Sequence, residues 1–197
     1  MTKAVEFYFD FASPTAYLAH TQLPAICDAC DASLNYHPAL LGGIFKAAAN
    51  SSPIMVPAKG GYMMSDLARY AKRYDVTLNI NTNFPFNSLA LMRCAAGIKI
   101  TQPERLAEYI ALMYQAIWVD NLNVNDEASV ATLLNENGFD GAAVLALSQD
   151  VKVKEALKST TEDVDSKGAF GLPSMFVDDE LYFGQDRLDF VKEALLA

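Results

Sequence analysis

At 197 residues, 52% apolar and 20% charged, the chain is long enough to bury a sizeable core and too rich in core formers to be disordered. Its formal charge of −9 argues against nucleic acid or an anionic membrane surface as a partner. No apolar run reaches the roughly 18 residues that span a bilayer, and three cysteines, an odd number, suit a reducing, cytoplasmic setting better than a disulfide framework.

Met1-Thr2-Lys3 leads straight into a strand-like run with no leader cleavage site. Residues 4–9 (AVEFYF) predict a buried strand, short and rich in aromatic and β-branched residues. Asp10-Phe11-Ala12 turn the chain, and Ser13-Pro14 open a helix to about residue 30, because serine is a favoured N-cap and proline suits the first helical position. Pro24 should kink that helix or end its first half. A second strand follows over 33–38. Residues 40–59 read as a loop with a short helix, punctuated by Gly42-Gly43, Pro53 and Pro57.

Helical patterns then cover 61–74, 87–100, 103–118, 126–137, 140–148 and 150–167, with an extended, asparagine-rich piece over 76–85. Thr101-Gln102-Pro103-Glu104 and Asn125-Asp126-Glu127 resemble N-cap boxes, and Gly138 is a suitable C-cap. After a glycine-flanked turn over 168–173 come a strand over 174–178, a hairpin turn at Asp179-Glu180, a partner strand over 181–183, and a final helix from Gly184 to Leu195. So β-α-β at the front and β-β-α at the back bracket a helical middle. The helical crossover makes the first strand pair parallel, and the tight turn makes the last pair antiparallel. The fold class expected is α/β, a thioredoxin-like domain of residues 1–41 and 168–197 holding an all-helical insertion of residues 42–167.

Cys27-Asp28-Ala29-Cys30 is a C-x-x-C in a thioredoxin-like context, but a reactive cysteine belongs at a helix N-terminus. Cys27 lies roughly 20 Å past the Ser13 cap at 1.5 Å per residue, near the helix C-terminus, where a thiolate is disfavoured. A structural role for both cysteines is the better reading, and no second ligand pair supports a metal. Ser13 instead occupies the place of a reactive cysteine. A nucleophilic serine needs a base within reach; His20 is two turns along the same helix, His37 is on the second strand, and a structural role suits each. Without a base, Ser13 can still donate to an anionic sulfur brought from elsewhere, or serve as an N-cap alone.

Three further features converge. Leu172-Pro173, after a glycine turn and before a strand, is the place for a cis proline, which would expose the Leu172 N–H and C=O to an extended thiol peptide. Gly184-Gln185-Asp186-Arg187 sets a second helix N-terminus beside a carboxylate suited to an ammonium group. Lys46 and Asn50 lie after the second strand, where they could meet a ligand carboxylate.

Together, FYFDFASP at 7–14, KAAAN at 46–50, PAKG at 57–60, FPFNS at 84–88, GAFGLP at 168–173 and FGQDRL at 183–188 resemble the 2-hydroxychromene-2-carboxylate isomerase and kappa-class glutathione transferase family, in the DsbA-like branch of thioredoxin folds. The resemblance runs over essentially the whole chain. It implies a glutathione site in which Ser13 bonds the sulfur and Leu172 pairs with the cysteinyl backbone. Asp186, with Arg187 and the Gln185 N–H, would hold the γ-glutamyl end, while Asn50 and Lys46 or Lys59 meet the tripeptide elsewhere. It also implies a homodimer and an aromatic keto-acid substrate. The activity expected is glutathione-dependent isomerisation of 2-hydroxychromene-2-carboxylate to trans-o-hydroxybenzylidenepyruvate, the alternatives being a conjugating glutathione transferase and a disulfide oxidoreductase or thiol-binding module. Gln185, where kappa transferases tend to have serine, and Thr15, where the family commonly has tyrosine, depart from the pattern.

Overall fold

The computed structural model describes residues 3–197; Met1 and Thr2, on which the reading of the chain start partly rests, lie outside the described residues. β1 (Ala4–Phe9) sits inside a four-stranded sheet of order β2-β1-β3-β4. Its side chains alternate across the sheet, so Phe7 and Phe9 enter one core while Tyr8 enters another. Helix α1 (Pro14–Ala29) crosses over to β2 (Ser33–Pro38), which lies parallel to β1 with Phe7 opposite Tyr36. β3 (Ser174–Val177) runs antiparallel to β1, Glu6 opposite Phe176, and pairs antiparallel with β4 (Glu180–Phe183). The parallel front pair and antiparallel back pair are those expected from the connections.

The hairpin turn differs from the expected one by a single residue. Asp178 and Asp179 occupy it, both at positive φ (49° and 67°), and Glu180 pairs with Val177. A two-residue turn matching the strand twist needs two left-handed residues, and aspartate tolerates that region better than glutamate.

Between β2 and β3 run α2 (Leu41–Ala47), α3 (Pro57–Arg73), α4 (Leu89–Thr101), α5 (Leu106–Trp118), α6 (Glu127–Glu136), α7 (Gly141–Leu147) and α8 (Val151–Ser166), and α9 (Leu188–Leu196) ends the chain. α3 begins at Pro57, ahead of the predicted Gly61, because proline at the first helical position costs no hydrogen bond. Pro24 stays inside α1 without ending it, giving up only the bond its missing N–H would have made to the His20 carbonyl. Gln102 makes no side-chain cap; a single 3₁₀ turn, Pro103–Arg105, leads into α5 instead. A second such turn, Gln185–Arg187, precedes α9, so the last helix starts at Leu188 and not at Gly184. Asp126 caps α6 by accepting from Ala128 N–H, and Gly138 follows that helix at φ 75°. No described helix is long and apolar enough to cross a membrane.

The larger core draws on both halves of the chain. Phe7, Phe9, Phe11 and Leu18 pack with Tyr109, Tyr114, Ile117 and Trp118 of α5. Trp118 is fully buried, and truncating such a side chain typically costs about 3–5 kcal/mol. The helical middle is therefore cemented to the sheet through α5. A smaller core, containing Tyr8, Ile44, Val164, Leu172 and Phe176, fills the other face of the sheet.

His20 lies on the buried side of α1 between Tyr36 and Tyr114, ring centroids 5.8 and 5.1 Å away, and burial pulls its pKa down from 6.5 to about 4. The folded state keeps His20 neutral, while the unfolded chain takes up a proton once the pH falls below about 6.5. Its contribution is intact above that pH and is lost as the pH drops toward about 4, by on the order of 3 kcal/mol. His20→Phe keeps an aromatic ring between the tyrosines, and its stability in urea denaturation should fall less steeply than the wild type's between about pH 7 and about pH 5. At the exit of β4, Gly184 holds φ 98°, ψ 157°, a region only glycine occupies without strain. A Cβ there would stand 2.6 Å from Asp186 Oδ1. Gly184→Ala is expected to lose about 1–3 kcal/mol in chemical denaturation.

Candidate functional site

The site begins where β1 ends. The buried Asp10 carboxylate accepts from Ala12 N–H at 2.9 Å and Leu41 N–H at 2.8 Å, with the Ser88 side chain as a third partner. Burial nonetheless pushes its pKa up. Tyr114 donates its hydroxyl to the Asp10 carbonyl at 3.3 Å, and Trp118 Nε1–H donates to the Phe11 carbonyl at 3.0 Å. The turn's polar backbone is thus satisfied by residues from the helical middle, and its end sets Ser13 in extended backbone as the cap of α1.

Ser13, 3% exposed, accepts from Ala16 N–H at 3.1 Å and donates to the Leu172 carbonyl at 2.9 Å. Thr15 Oγ1 lies 2.9 Å from Ser13 Oγ and 3.3 Å from the same carbonyl. The Leu172-Pro173 bond is cis. Residues 159 positions apart therefore meet at the floor of one cleft. Pro14 carries no N–H, so the first backbone donor of the helix belongs to Thr15. A hydroxyl, helix N–H groups and the positive end of the helix converge where an anion would sit.

The cleft measures about 750 Å³ and is lined by Ser13, Thr15, Asn50, Lys59, Leu172, Gln185 and Asp186. Asn50 Nδ2 donates to the Phe170 carbonyl at 2.8 Å, and its Oδ1 accepts from Ser51 N–H at 2.8 Å, which ties the loop after α2 to the turn before β3. Gln185 is buried, and its carbonyl accepts from the Tyr74 hydroxyl at the end of α3. Asp186 pairs with the guanidinium of Arg187.

Two residues singled out in the sequence lie elsewhere. Lys46, on α2, lines a separate cavity of about 650 Å³ with Arg93, Lys154 and Lys158. It belongs to a seven-residue helix rather than a loop, and that helix turns Phe45 toward the cleft and Lys46 toward α8. Arg187 lies off the cleft lining and reaches it only through Asp186.

The apolar wall went unread in the sequence. Phe45, Tyr62, Met63, Leu67, Phe84, Phe170 and Phe183 line the cleft. Met63 and Leu67, four apart, share a helix face, but that spacing is also the signature of ordinary core and does not mark a pocket. Phe170 and Phe183 lie 4.5 Å apart between ring centroids; a Cβ on Gly171 would come within 2.9 Å of the Phe183 ring, so this glycine leaves room for it.

Among the described residues, no cysteine or histidine lines this cleft. Cys27, Cys30 and Cys94 are free thiols. Cys27 is buried at the C-terminal end of α1, and burial, then the neighbouring Cys30 and Asp28, push its pKa up to about 11. Burial there disfavours the thiolate form of Cys27. His20 is buried among tyrosines, and His37 sits at the sheet edge against Glu6 and Lys99.

Comparison with known proteins places this architecture. The family description "DSBA-like thioredoxin domain" matches residues 4–196. The 2-hydroxychromene-2-carboxylate isomerase of Sphingobium xenophagum is 32% identical over 199 residues, covering 100% of both chains. Glutathione S-transferase kappa 1 of Homo sapiens is 27% identical over 99% of this chain and 92% of that one. A solved 2-hydroxychromene-2-carboxylate isomerase superposes with a TM-score of 0.86 at 27% identity, covering 98% of this chain and 94% of the other. The chain belongs to the DsbA-like thioredoxin domain family, in the group that contains the 2-hydroxychromene-2-carboxylate isomerases and the kappa-class glutathione transferases.

Proposed function

We propose that the protein is a glutathione-dependent isomerase that interconverts 2-hydroxychromene-2-carboxylate and trans-o-hydroxybenzylidenepyruvate, or a close aromatic analogue. The observation that carries this reading is the Ser13 hydroxyl at the N-terminus of α1, facing Leu172 in a cleft whose lining, among the described residues, includes no cysteine or histidine. Such a site can stabilise a sulfur anion but has none of its own.

The donor set fits glutathione. The tripeptide carries a thiol, an ammonium group and two carboxylates, and the cleft offers a hydroxyl at a helix N-terminus, the Asp186 carboxylate and the Lys59 ammonium. The missing Cβ of Gly184 leaves the space that the Asp186 carboxylate occupies. In this reading Ser13 donates to the sulfur, the Leu172 backbone pairs with the cysteinyl unit, and Asp186 with the Gln185 N–H holds the γ-glutamyl end. Lys59 takes a carboxylate, and Asn50 holds the Phe170 turn against the ligand. Arg187 orients Asp186, and Lys46 has no direct part.

When bound, glutathione supplies a thiolate that can add reversibly to a conjugated carbon and so free a double bond to rotate. Ser13 and the helix end stabilise the negative charge in a largely apolar cleft, where such interactions are stronger than in water. Phe170, Phe183 and Tyr62 offer aromatic faces to a planar substrate. The same proposal takes the protein as a homodimer, on the family resemblance, and as cytoplasmic, on its odd number of cysteines. A second reading, a transferase that conjugates electrophiles to glutathione, is favoured by the similarity to glutathione S-transferase kappa 1.

Incubation of purified protein with 2-hydroxychromene-2-carboxylate and glutathione, followed spectrally and by mass spectrometry, separates the readings. Glutathione-dependent conversion with no glutathione adduct is the expected result, and Ser13→Ala should lower kcat about 100-fold or more, as loss of one charge-stabilising donor does elsewhere. Accumulating adduct would favour the transferase, and turnover indifferent to glutathione would sink both.

A further inference from the structure

Ser13 Oγ stands at the centre of three polar contacts. It accepts from Ala16 N–H at 3.1 Å, donates to the Leu172 carbonyl at 2.9 Å, and lies 2.9 Å from Thr15 Oγ1. A hydroxyl oxygen has two lone pairs and one proton. With Ala16 N–H on one lone pair, the behaviour of Ser13 is set by what occupies the other.

We propose that the Thr15 hydroxyl donates to Ser13 Oγ, fills that second lone pair, and makes Ser13 a hydrogen-bond donor only, thereby selecting the ionised form of a thiol brought to the cleft. This inference rests on the glutathione reading above. A neutral thiol at a serine with a vacant lone pair can satisfy itself by donating S–H to the oxygen. At a serine whose lone pairs are both taken, that bond is closed, and only a sulfur that accepts gains a partner. The Ser13 proton then turns from the Leu172 carbonyl to the sulfur, the thiol proton leaves to bulk water, and the electron pair stays on sulfur.

The geometry favours this direction of donation. Thr15 Oγ1 is 2.9 Å from Ser13 Oγ against 3.3 Å from the Leu172 carbonyl, so the serine oxygen is its nearer acceptor. Accepting from Thr15 also polarises the Ser13 O–H and strengthens its own donation, as hydroxyls in series do. Thr15 touches no reacting atom in this arrangement; it is a positioning residue that acts through Ser13.

Thr15→Val keeps the branched shape and removes the hydroxyl, and Thr15→Ser restores it. Ionisation of glutathione bound to each protein is followed by thiolate ultraviolet absorbance against pH, and binding of S-methylglutathione, which has no thiol proton, by calorimetry. In Thr15→Val the midpoint of the bound thiol should rise by about one pH unit, a tenfold shift in the equilibrium. It should return in Thr15→Ser, with S-methylglutathione affinity the same in all three proteins. A wild-type midpoint in Thr15→Val overturns the role of Thr15 and leaves the glutathione site standing. Equal weakening of glutathione and S-methylglutathione, with no change in midpoint, marks a role in shape alone and also overturns it. A wild-type protein that binds neither probe takes down the glutathione reading and this inference with it.

Discussion

A fully buried carboxylate holds the working end of this protein together. Asp10 bridges the N–H of Ala12, in its own turn, and the N–H of Leu41, at the start of α2, with Ser88 before α4 as a further partner. Burying a carboxylate is costly unless its oxygens are hydrogen-bonded, and here the donors come from three separated segments. The same group thus fixes the direction in which α1 leaves β1 and anchors the loops around it. Tyr114 and Trp118 complete the arrangement by taking the Asp10 and Phe11 carbonyls. Ser13 is itself tied into this turn, its N–H donating to the Asp10 carbonyl at 3.0 Å.

Much of the fold was legible because its punctuation is local. The aromatic run of β1, Ser13-Pro14, the aspartate caps of α6 to α8 and Gly138 each act within a few residues of themselves. Errors arose where local signals competed. Pro57 could open a helix or break one, and the glycines after it weigh toward a loop; at the first helical position its missing N–H costs no bond, and the helix starts there. At the β3–β4 turn, two consecutive aspartates and a glutamate leave the register open by one residue, and the need for two positive φ angles resolves it.

The site was legible to the extent that its polar groups sit at element ends. Ser13, Leu172, Gln185 and Asp186 each follow or precede a turn, and all four line one cleft. Lys46 and Arg187 are near neighbours in sequence of cleft residues, Phe45 and Asp186, yet helical rotation carries Lys46 into another cavity, and Arg187 lies off the lining. Sequence proximity does not resolve such a rotation. The apolar wall was opaque for a different reason: an aromatic side chain facing a cleft and one facing a core follow the same spacing, and only the position of the opposing wall distinguishes them.

The alternation of β1 has a mechanical side. Phe7 and Phe9 root one core and Tyr8 the other, Phe11 and α1 continue the first, and Leu172 belongs to the second. The hydrogen bond between Ser13 and Leu172 therefore spans a seam, each end anchored in a different packed body. The floor of the cleft is thereby held from both faces of the sheet at once, so packing on either face bears on it.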